Sequence, residues 1–404
     1  MRYGSFLPKN GTIGFVAPSF GCNIEPYRSA FENAQRRWKR RGYRLDPGPN
    51  CYRGEGVGIS STPESCGREL TEYYQKKDVD CLISCGGGEL MCEILDYVDW
   101  DAIAKAPARW YMGFSDNTNM TYLLATICDT ASIYGPCAAS FGMKPQHKSL
   151  KDAFALLTGE GQNDPQAEGA GQDRLRADGK MGETTDWPFF SVRGYPKWEL
   201  EGMKDEENPL ASYNLTERRV LKFYNGAVSG SDSVNIWAKE VPEDMGGNHA
   251  GAYPLISGRD IPETVFEGRL LGGCMDCLVN LLGTCYDHTG NFLEKYKEDG
   301  IVWFLEACDL NVFGIRRAMW QMEHAGWFRY TRGFLIGRPF SGLEPMMNLD
   351  RYQAVLDVAG RKGVPVVMDV DLGHRPPMMP MITGSYGVVH IKGNDIQVDM
   401  ELRP

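Results

Sequence analysis

Three short apolar runs in the first part of the chain each stop at a turn-forming or small residue. Thr12 to Ala17 ends at Pro18-Ser19, Val79 to Ser84 runs into Gly86-Gly87-Gly88, and Trp110 to Met112 leads through Gly113-Phe114 to Ser115. Helix-like stretches separate them. Glu25 to Arg41 carries Tyr27, Ala30, Phe31, Ala34 and Trp38 at helical spacing, and Pro63-Glu64 opens a second helix that reaches Lys76-Lys77. Strand, helix, strand, helix with fully apolar strands is the pattern of a parallel sheet covered by helices. In such a sheet the functional loops lie beyond the carboxyl ends of the strands, so Pro18-Ser19, Gly86 to Gly88 and Ser115 share one edge.

A serine at a strand-to-helix seam is where a nucleophile elbow would sit. Gly113 allows the sharp turn, and Asp116 to Thr118 are expected to cap the helix that runs from Asn119 to Cys128. The usual G-x-S-x-G pattern is broken by Asn117, and a Ser-Asp pair opening a helix is most often only a cap. The Gly86 to Gly88 run has neither G-x-G-x-x-G spacing nor G-K-S/T, so it is a poor phosphate loop. It is either a tight turn or a place where bare backbone N–H groups converge on an oxyanion.

Composition removes some function classes. A formal net charge of -10 argues against a nonspecific grip on nucleic-acid phosphates. No apolar run approaches the ~20 residues of a membrane span. Met1 to Asn10 has Arg2 and Lys9 without an apolar core, so it does not read as a secretory signal. The twelve cysteines are therefore expected as reduced thiols in a cytoplasmic protein. Cys274-Met275-Asp276-Cys277 is the one C-x-x-C, with no second pair at zinc-ribbon spacing, and it reads as a reduced helix start ahead of a redox or metal site.

From about Leu150 to Glu267 the character changes. Gly159 to Gly182 is polar and glycine-rich. Trp187, Phe189, Phe190, Tyr195, Trp198, Tyr213, Phe223, Tyr224 and Trp237 then follow among charges, prolines and glycines. They either pack a small subdomain or line a substrate cleft. After Gly268 strand and helix alternate again. Ile301 to Leu305 is a continuous apolar strand with Glu306 at its end, and Val364 to Met368 is another, followed by Gly373-His374-Arg375-Pro376.

A serine nucleophile needs a base, and the base needs a group that fixes its tautomer. Of six histidines, His374 alone directly follows a buried strand in a loop shaped by glycine and proline. Glu306 alone among the carboxylates directly closes the Ile301–Leu305 run. Either could be structural by itself; with Ser115 they make a Ser…Glu…His order with chemical sense.

At this point the chain resembles the LD-carboxypeptidase and microcin-immunity serine peptidases. The matching pieces, in the family's order, are Val16 to Ser19, Gly86 to Gly88, Gly113 to Thr118, Tyr134-Gly135-Pro136, Leu270 to Gly273, Leu281 to Thr284, Phe304-Leu305-Glu306 and Gly373-His374. The resemblance implies an α/β protein: an N-terminal parallel sheet with flanking helices (Rossmann-like), a smaller mixed α/β C-terminal domain, and an active site between them. Expected bounds are 1–150, an aromatic-rich insertion at 151–267, and 268–404. It further implies Ser115 as nucleophile, His374 as base, Glu306 as orienting carboxylate, and an oxyanion hole from the N–H groups of Gly87, Gly88 and Asp116. No cofactor or metal is implied. The expected partner is a small peptide or peptidyl-nucleotide, neither nucleic acid nor membrane, and the expected assembly is a homodimer.

Two substrate classes come with the resemblance: release of terminal D-alanine from murein tetrapeptides, and cleavage of aminoacyl-nucleotide conjugates of the microcin C type. For the second, Trp187 and Trp198 are the candidate substrate-binding aromatics. A non-catalytic binding protein that kept the cleft is the third reading. The chain departs from the family pattern at Ala307, where an acidic residue is usual, at Cys274, where asparagine is usual, and in the length of its middle region.

Overall fold

The computed structural model describes residues 1–163, 187–226 and 253–404; Trp237 lies outside them. Strands β1 (Thr12–Val16), β2 (Arg44–Pro47), β3 (Cys81–Ser84), β4 (Tyr111–Gly113) and β5 (Ser132–Tyr134) pair in parallel in the order β2-β1-β3-β4-β5. Helices α1 (Tyr27–Arg40), α2 (Pro63–Gln75), α3 (Trp100–Lys105), α4 (Thr118–Thr126) and α5 (Lys148–Thr158) complete this half. α1 forms because Ala30, Phe31, Ala34 and Trp38 make one apolar stripe, and all four are buried. Trp38 packs against Phe15 of β1 with ring centroids 5.4 Å apart. The strand order reverses between β1 and β3, which puts a crevice at the carboxyl ends of those strands. Ser19, Gly86 to Gly88 and Ser115 all follow strands at that edge.

The second sheet is wider. β6 (Phe189–Arg193), β9 (Lys222–Tyr224), β10 (Ile256–Ser257), β11 (Thr264–Cys274), β12 (Ile301–Glu306), β13 (Thr331–Gly337), β14 (Val366–Val370), β16 (Tyr386–Lys392) and β17 (Asp395–Glu401) join in the order β10-β9-β14-β13-β12-β11-β16-β17-β6. Its centre, β14-β13-β12-β11, is parallel, and the flanks are antiparallel. Its helices are α6 (Met275–Leu281), α7 (Thr289–Lys295), α8 (Val312–His324) and α9 (Arg351–Ala359).

The aromatic-rich middle stretch supplies three strands of this sheet, β6, β9 and β10. Phe189, Phe190, Phe223 and Tyr224 are buried in it, so they act as sheet core. A separate two-stranded ribbon, β7 (Lys197–Trp198) with β8 (Glu217–Arg218), lies outside it.

The two halves are joined covalently and by packing. Strand β15 (Met381–Thr383) leaves the C-terminal half and adds to the first sheet, antiparallel to β5. Tyr122 of α4 meets Thr289 of α7 through hydroxyls 2.8 Å apart and stacks on Trp327. One apolar core runs continuously from Phe15 and Trp38 to Trp303 and Phe334.

One buried ionic network ties the middle stretch to the loop that carries His374. Asp371 is fully buried and accepts from Arg338 Nη2 at 2.6 Å, Arg219 Nη1 at 2.8 Å and the Tyr195 N–H at 2.6 Å. Both guanidiniums are themselves buried. Deleting one partner of such a network leaves uncompensated buried charge, so Asp371→Ala is expected to lower unfolding stability by about 3–5 kcal/mol in a denaturant titration. A loss below about 1 kcal/mol, the size of an exposed ion pair, would show that the network does not hold this loop.

Candidate active site

β4 ends at Gly113, and the chain turns into a single 3-10 turn, Ser115–Asn117, before α4. Ser115 sits at φ 60°, in the left-handed region that L-residues avoid. Its neighbours hold it there. The Ser115 N–H donates to the Tyr134 oxygen at 3.2 Å, and Thr118 Oγ1 donates to the Ser115 carbonyl at 2.5 Å. A strained elbow of this kind lifts the hydroxyl clear of the backbone.

His374 arrives from the loop after β14, 259 residues further along the chain. Its Nε2 is 2.7 Å from Ser115 Oγ, and its Nδ1 is 2.8 Å from Glu306 Oε2. Glu306, the last residue of β12, is buried, and its other oxygen accepts from the Tyr134 hydroxyl at 2.5 Å. The imidazole also packs against Phe114, with ring centroids 5.2 Å apart. Gly373 permits the approach: its φ is 86°, and a Cβ there would lie 2.3 Å from Glu306 Oε2.

The electrostatics follow from burial and pairing. Burial alone would raise the Glu306 pKa, but the His374 charge and hydrogen bonds from His374, Tyr134 and Cys274 outweigh it and hold the carboxyl below its ordinary value. Burial likewise opposes the His374 charge, yet the Glu306 carboxylate and a hydrogen bond to Cys308 raise the imidazole well above its ordinary 6.5. Burial pushes the Tyr134 phenol far up, aided by the Glu306 charge, so it stays a donor.

Gly87 stands directly over the serine; a Cβ on it would come within 3.3 Å of Ser115 Cβ and 3.4 Å of Oγ. Gly88 is pressed against Ser19, whose Oγ would be 2.0 Å from an added Cβ. Among the described residues the Gly87 and Gly88 N–H groups donate no hydrogen bond, and Asp116 is the second residue of a helical turn, where N–H groups lack intrahelical partners.

The Asp116 side chain corrects the expectation of a cap. Neither the 3-10 turn nor α4 has a side-chain cap. Instead Asp116 Oδ2 accepts from Ser19 Oγ at 2.5 Å and from the Met91 N–H at 2.8 Å, and burial pushes its pKa up to about 6. It braces the loops after β1 and β3 against the elbow.

The remaining sequence candidates divide. Trp198 lies on the β7–β8 ribbon beside the His374 loop: its neighbour Glu199 donates its N–H to the Pro376 carbonyl at 2.8 Å. The Trp198 ring also carries Arg338 over its face at 5.0 Å. Trp187 is exposed at the outer edge of the second sheet, next to Pro188, whose carbonyl accepts from the Leu402 N–H. Phe190 nearby packs on Phe6, and Phe6 on Trp110 at the start of β4, the end of the strand remote from Ser115. Tyr134, the last residue of β5, and Ser19, in the loop after β1, lie at the same edge as Ser115, and that position is the one signal in the sequence that marks them. All twelve cysteines are free. Among the described residues the one His/Cys/Asp/Glu trio with ligand atoms within 4.8 Å of one another is Cys274, Glu306 and His374.

Residues 13–135 match the LD-carboxypeptidase N-terminal domain and residues 267–388 the LD-carboxypeptidase C-terminal domain, together more than half of the chain. The chain belongs to the LD-carboxypeptidase family. A carboxypeptidase-named protein of Streptomyces coelicolor is 23% identical over 321 residues, 78% of this chain and 70% of that one. The microcin C7 self-immunity protein MccF of Escherichia coli is 27% identical over 140 residues, 34% of this chain and 40% of that protein. MccF in complex with glutamyl sulfamoyl guanosine shares the fold at TM-score 0.68 and 18% identity, covering 99% of this chain and 98% of that one. A muramoyltetrapeptide carboxypeptidase from Oxalobacter formigenes does so at TM-score 0.62 and 17% identity, covering 97% and 99%. The family is one of peptidases. Ser115 falls in the first matched stretch, and Glu306 and His374 fall in the second.

The raised His374 pKa can be read directly. In proton NMR His374 is expected to titrate above 6.5, and Glu306→Gln is expected to lower that value, because burial then acts without its opposing charge. The same linkage gives stability that is fully present below 6.5 and is lost as pH rises through the folded-state value. An unchanged titration in Glu306→Gln would mean that this carboxylate is not the source of the shift.

Proposed function

We propose that the protein is a serine-type carboxypeptidase that uses Ser115, His374 and Glu306. The observation that carries this reading is the unbroken line from Ser115 Oγ to His374 Nε2 and from Nδ1 to Glu306, at 2.7 and 2.8 Å. His374 accepts the serine proton as Oγ attacks the amide carbonyl, and the buried Glu306 stabilises the imidazolium and fixes the tautomer. The N–H groups of Gly87, Gly88 and Asp116 face the oxyanion of the tetrahedral intermediate, where one donor is worth about 2.7–4 kcal/mol of barrier. His374 then protonates the leaving amine, and water, deprotonated by the same base, frees the acyl-enzyme.

The substrate in this reading is a murein tetrapeptide that loses its terminal D-alanine. The raised His374 pKa means that the neutral, base-competent imidazole gains population as pH rises. A second reading rests on Trp198, whose ribbon flanks the His374 loop: an aromatic face there could stack on a nucleobase, as in an aminoacyl-nucleotide conjugate. The MccF complexes with aminoacyl sulfamoyl nucleosides are consistent with that class of ligand in this fold.

Mass spectrometry of the protein incubated separately with a murein tetrapeptide and an aminoacyl-adenylate analogue decides between them. Loss of one alanine from the tetrapeptide is the expected result. Cleavage of the conjugate alone, abolished by Trp198→Ala, would establish the second reading. Ser115→Ala is expected to reduce turnover by about a millionfold, as removal of a serine nucleophile does when the triad acts as a unit. Normal turnover by that variant, with an unchanged circular dichroism spectrum, would overturn the assignment of Ser115.

A further inference from the structure

Three thiols surround the Glu306–His374 pair. The Cys274 thiol, which donates to Asp276 Oδ2 at 3.3 Å, faces Glu306 across the β11–β12 pairing, and Cys308 stands two residues beyond Glu306. Cys277, one turn into α6, reaches the Cys274 sulfur and lies 3.9 Å from Asp116 Oδ1. One ligand atom each from Cys274, Glu306 and His374 fall within 4.8 Å of one another. Zinc holds sulfur at about 2.3 Å and nitrogen or oxygen at about 2.0–2.2 Å, which places tetrahedral donors about 3.3–3.6 Å apart. To reach that spacing the His374 Nδ1–Glu306 Oε2 pair, 2.8 Å apart, opens slightly and the Cys274 sulfur closes in by about one ångström.

We propose that a thiophilic divalent cation, with zinc the best match, binds Cys274 Sγ, a Glu306 oxygen and a His374 ring nitrogen and switches the enzyme off. The donor set selects the ion: sulfur and imidazole suit zinc, whereas magnesium and calcium take oxygen. The charges also close. A thiolate, a carboxylate and a neutral imidazole around one divalent cation give a neutral complex, the form a water-poor site tolerates best. Binding releases the Cys274 thiol proton and, where His374 is charged, a ring proton to solvent. The bound imidazole can no longer take the Ser115 proton. The inhibitory half rests on the hydrolase reading above; the binding half does not.

The test is cobalt(II) titration of the full-length reduced protein, followed by zinc inhibition reversed with a chelator. A thiolate-to-cobalt charge-transfer band saturating at one equivalent is expected in the wild type and absent in Cys274→Ser, whose hydroxyl can still donate to Asp276 Oδ2. Zinc at about ten times its dissociation constant is expected to leave about a tenth of the wild-type rate. Cys274→Ser, compared with its own metal-free rate, is expected to escape most of that loss. A wild type with no sulfur-based band, or a band that persists in Cys274→Ser, overturns the proposal. Should Cys274→Ser misfold, His374→Ala must weaken the cobalt band instead, and an unaltered band in that variant overturns the proposal equally. A protein that hydrolyses neither substrate yet gives the cobalt band refutes the function and leaves the site.

Discussion

A carboxylate buried between two sheets sets the terms for everything around it. Taking an ionised carboxyl out of water is costly unless every lone pair finds a partner. Glu306 meets that demand with donors from both halves of the molecule: Tyr134 from the end of β5, and His374 from the loop after β14. The Tyr134 oxygen in turn accepts the Ser115 N–H, and His374 Nε2 meets Ser115 Oγ. Ser115, Tyr134, Glu306 and His374 therefore form a closed ring of hydrogen bonds. Such a ring fixes the elbow backbone and the imidazole orientation together, because displacing Tyr134 or His374 takes a donor from the buried carboxylate.

The same requirement accounts for the backbone around it. Gly373 has no side chain because a Cβ would occupy the space of the Glu306 oxygen. Strand β15 crosses to pair with β5, and this pairing pins the strand that carries Tyr134 to the half that carries Glu306. Asp116 serves the other side of the elbow, joining the loops after β1 and β3, so that Gly87 and Gly88 are presented to Ser115 by a braced turn. A buried polar network of this extent gives geometric uniqueness at the place where chemistry needs it.

How much of this could be read from the chain depended on range. The alternation of strands and helices in the first half is local, so the apolar runs at Thr12, Val79 and Trp110 declared a parallel sheet and its functional edge. Ser115, Glu306 and His374 were legible for the same reason: each directly follows or ends a buried strand. Tyr134 follows the same rule, but a tyrosine at a strand end has no chemistry that demands a role until its partner is known. The pairing of β6 with β17 was not legible, since it joins Phe189–Arg193 to Gln397–Glu401 across some half of the chain. No local pattern encodes a partner that distant, so the aromatics at Phe189 and Phe190 looked like an insertion when they complete a sheet. Asp116 misled because Ser-Asp before a helix is a cap by local rules, and only the tertiary approach of Ser19 and Met91 offers its carboxylate better donors.

The middle stretch also bears on the chemistry through the loop it grips. Asp371, three residues before His374, holds Arg219 and Tyr195 from that stretch and Arg338 from the end of β13. Arg338 lies over the face of Trp198, and Glu199 donates to the Pro376 carbonyl on the far side of the histidine. The His374 loop is thus clamped on both sides by one body that includes the β7–β8 ribbon. A shift of that ribbon would act on the same contacts that aim the imidazole. The ribbon, the His374 loop and the Ser115–His374 contact are then parts of one rigid assembly, in which the imidazole is aimed by packing on both of its flanks.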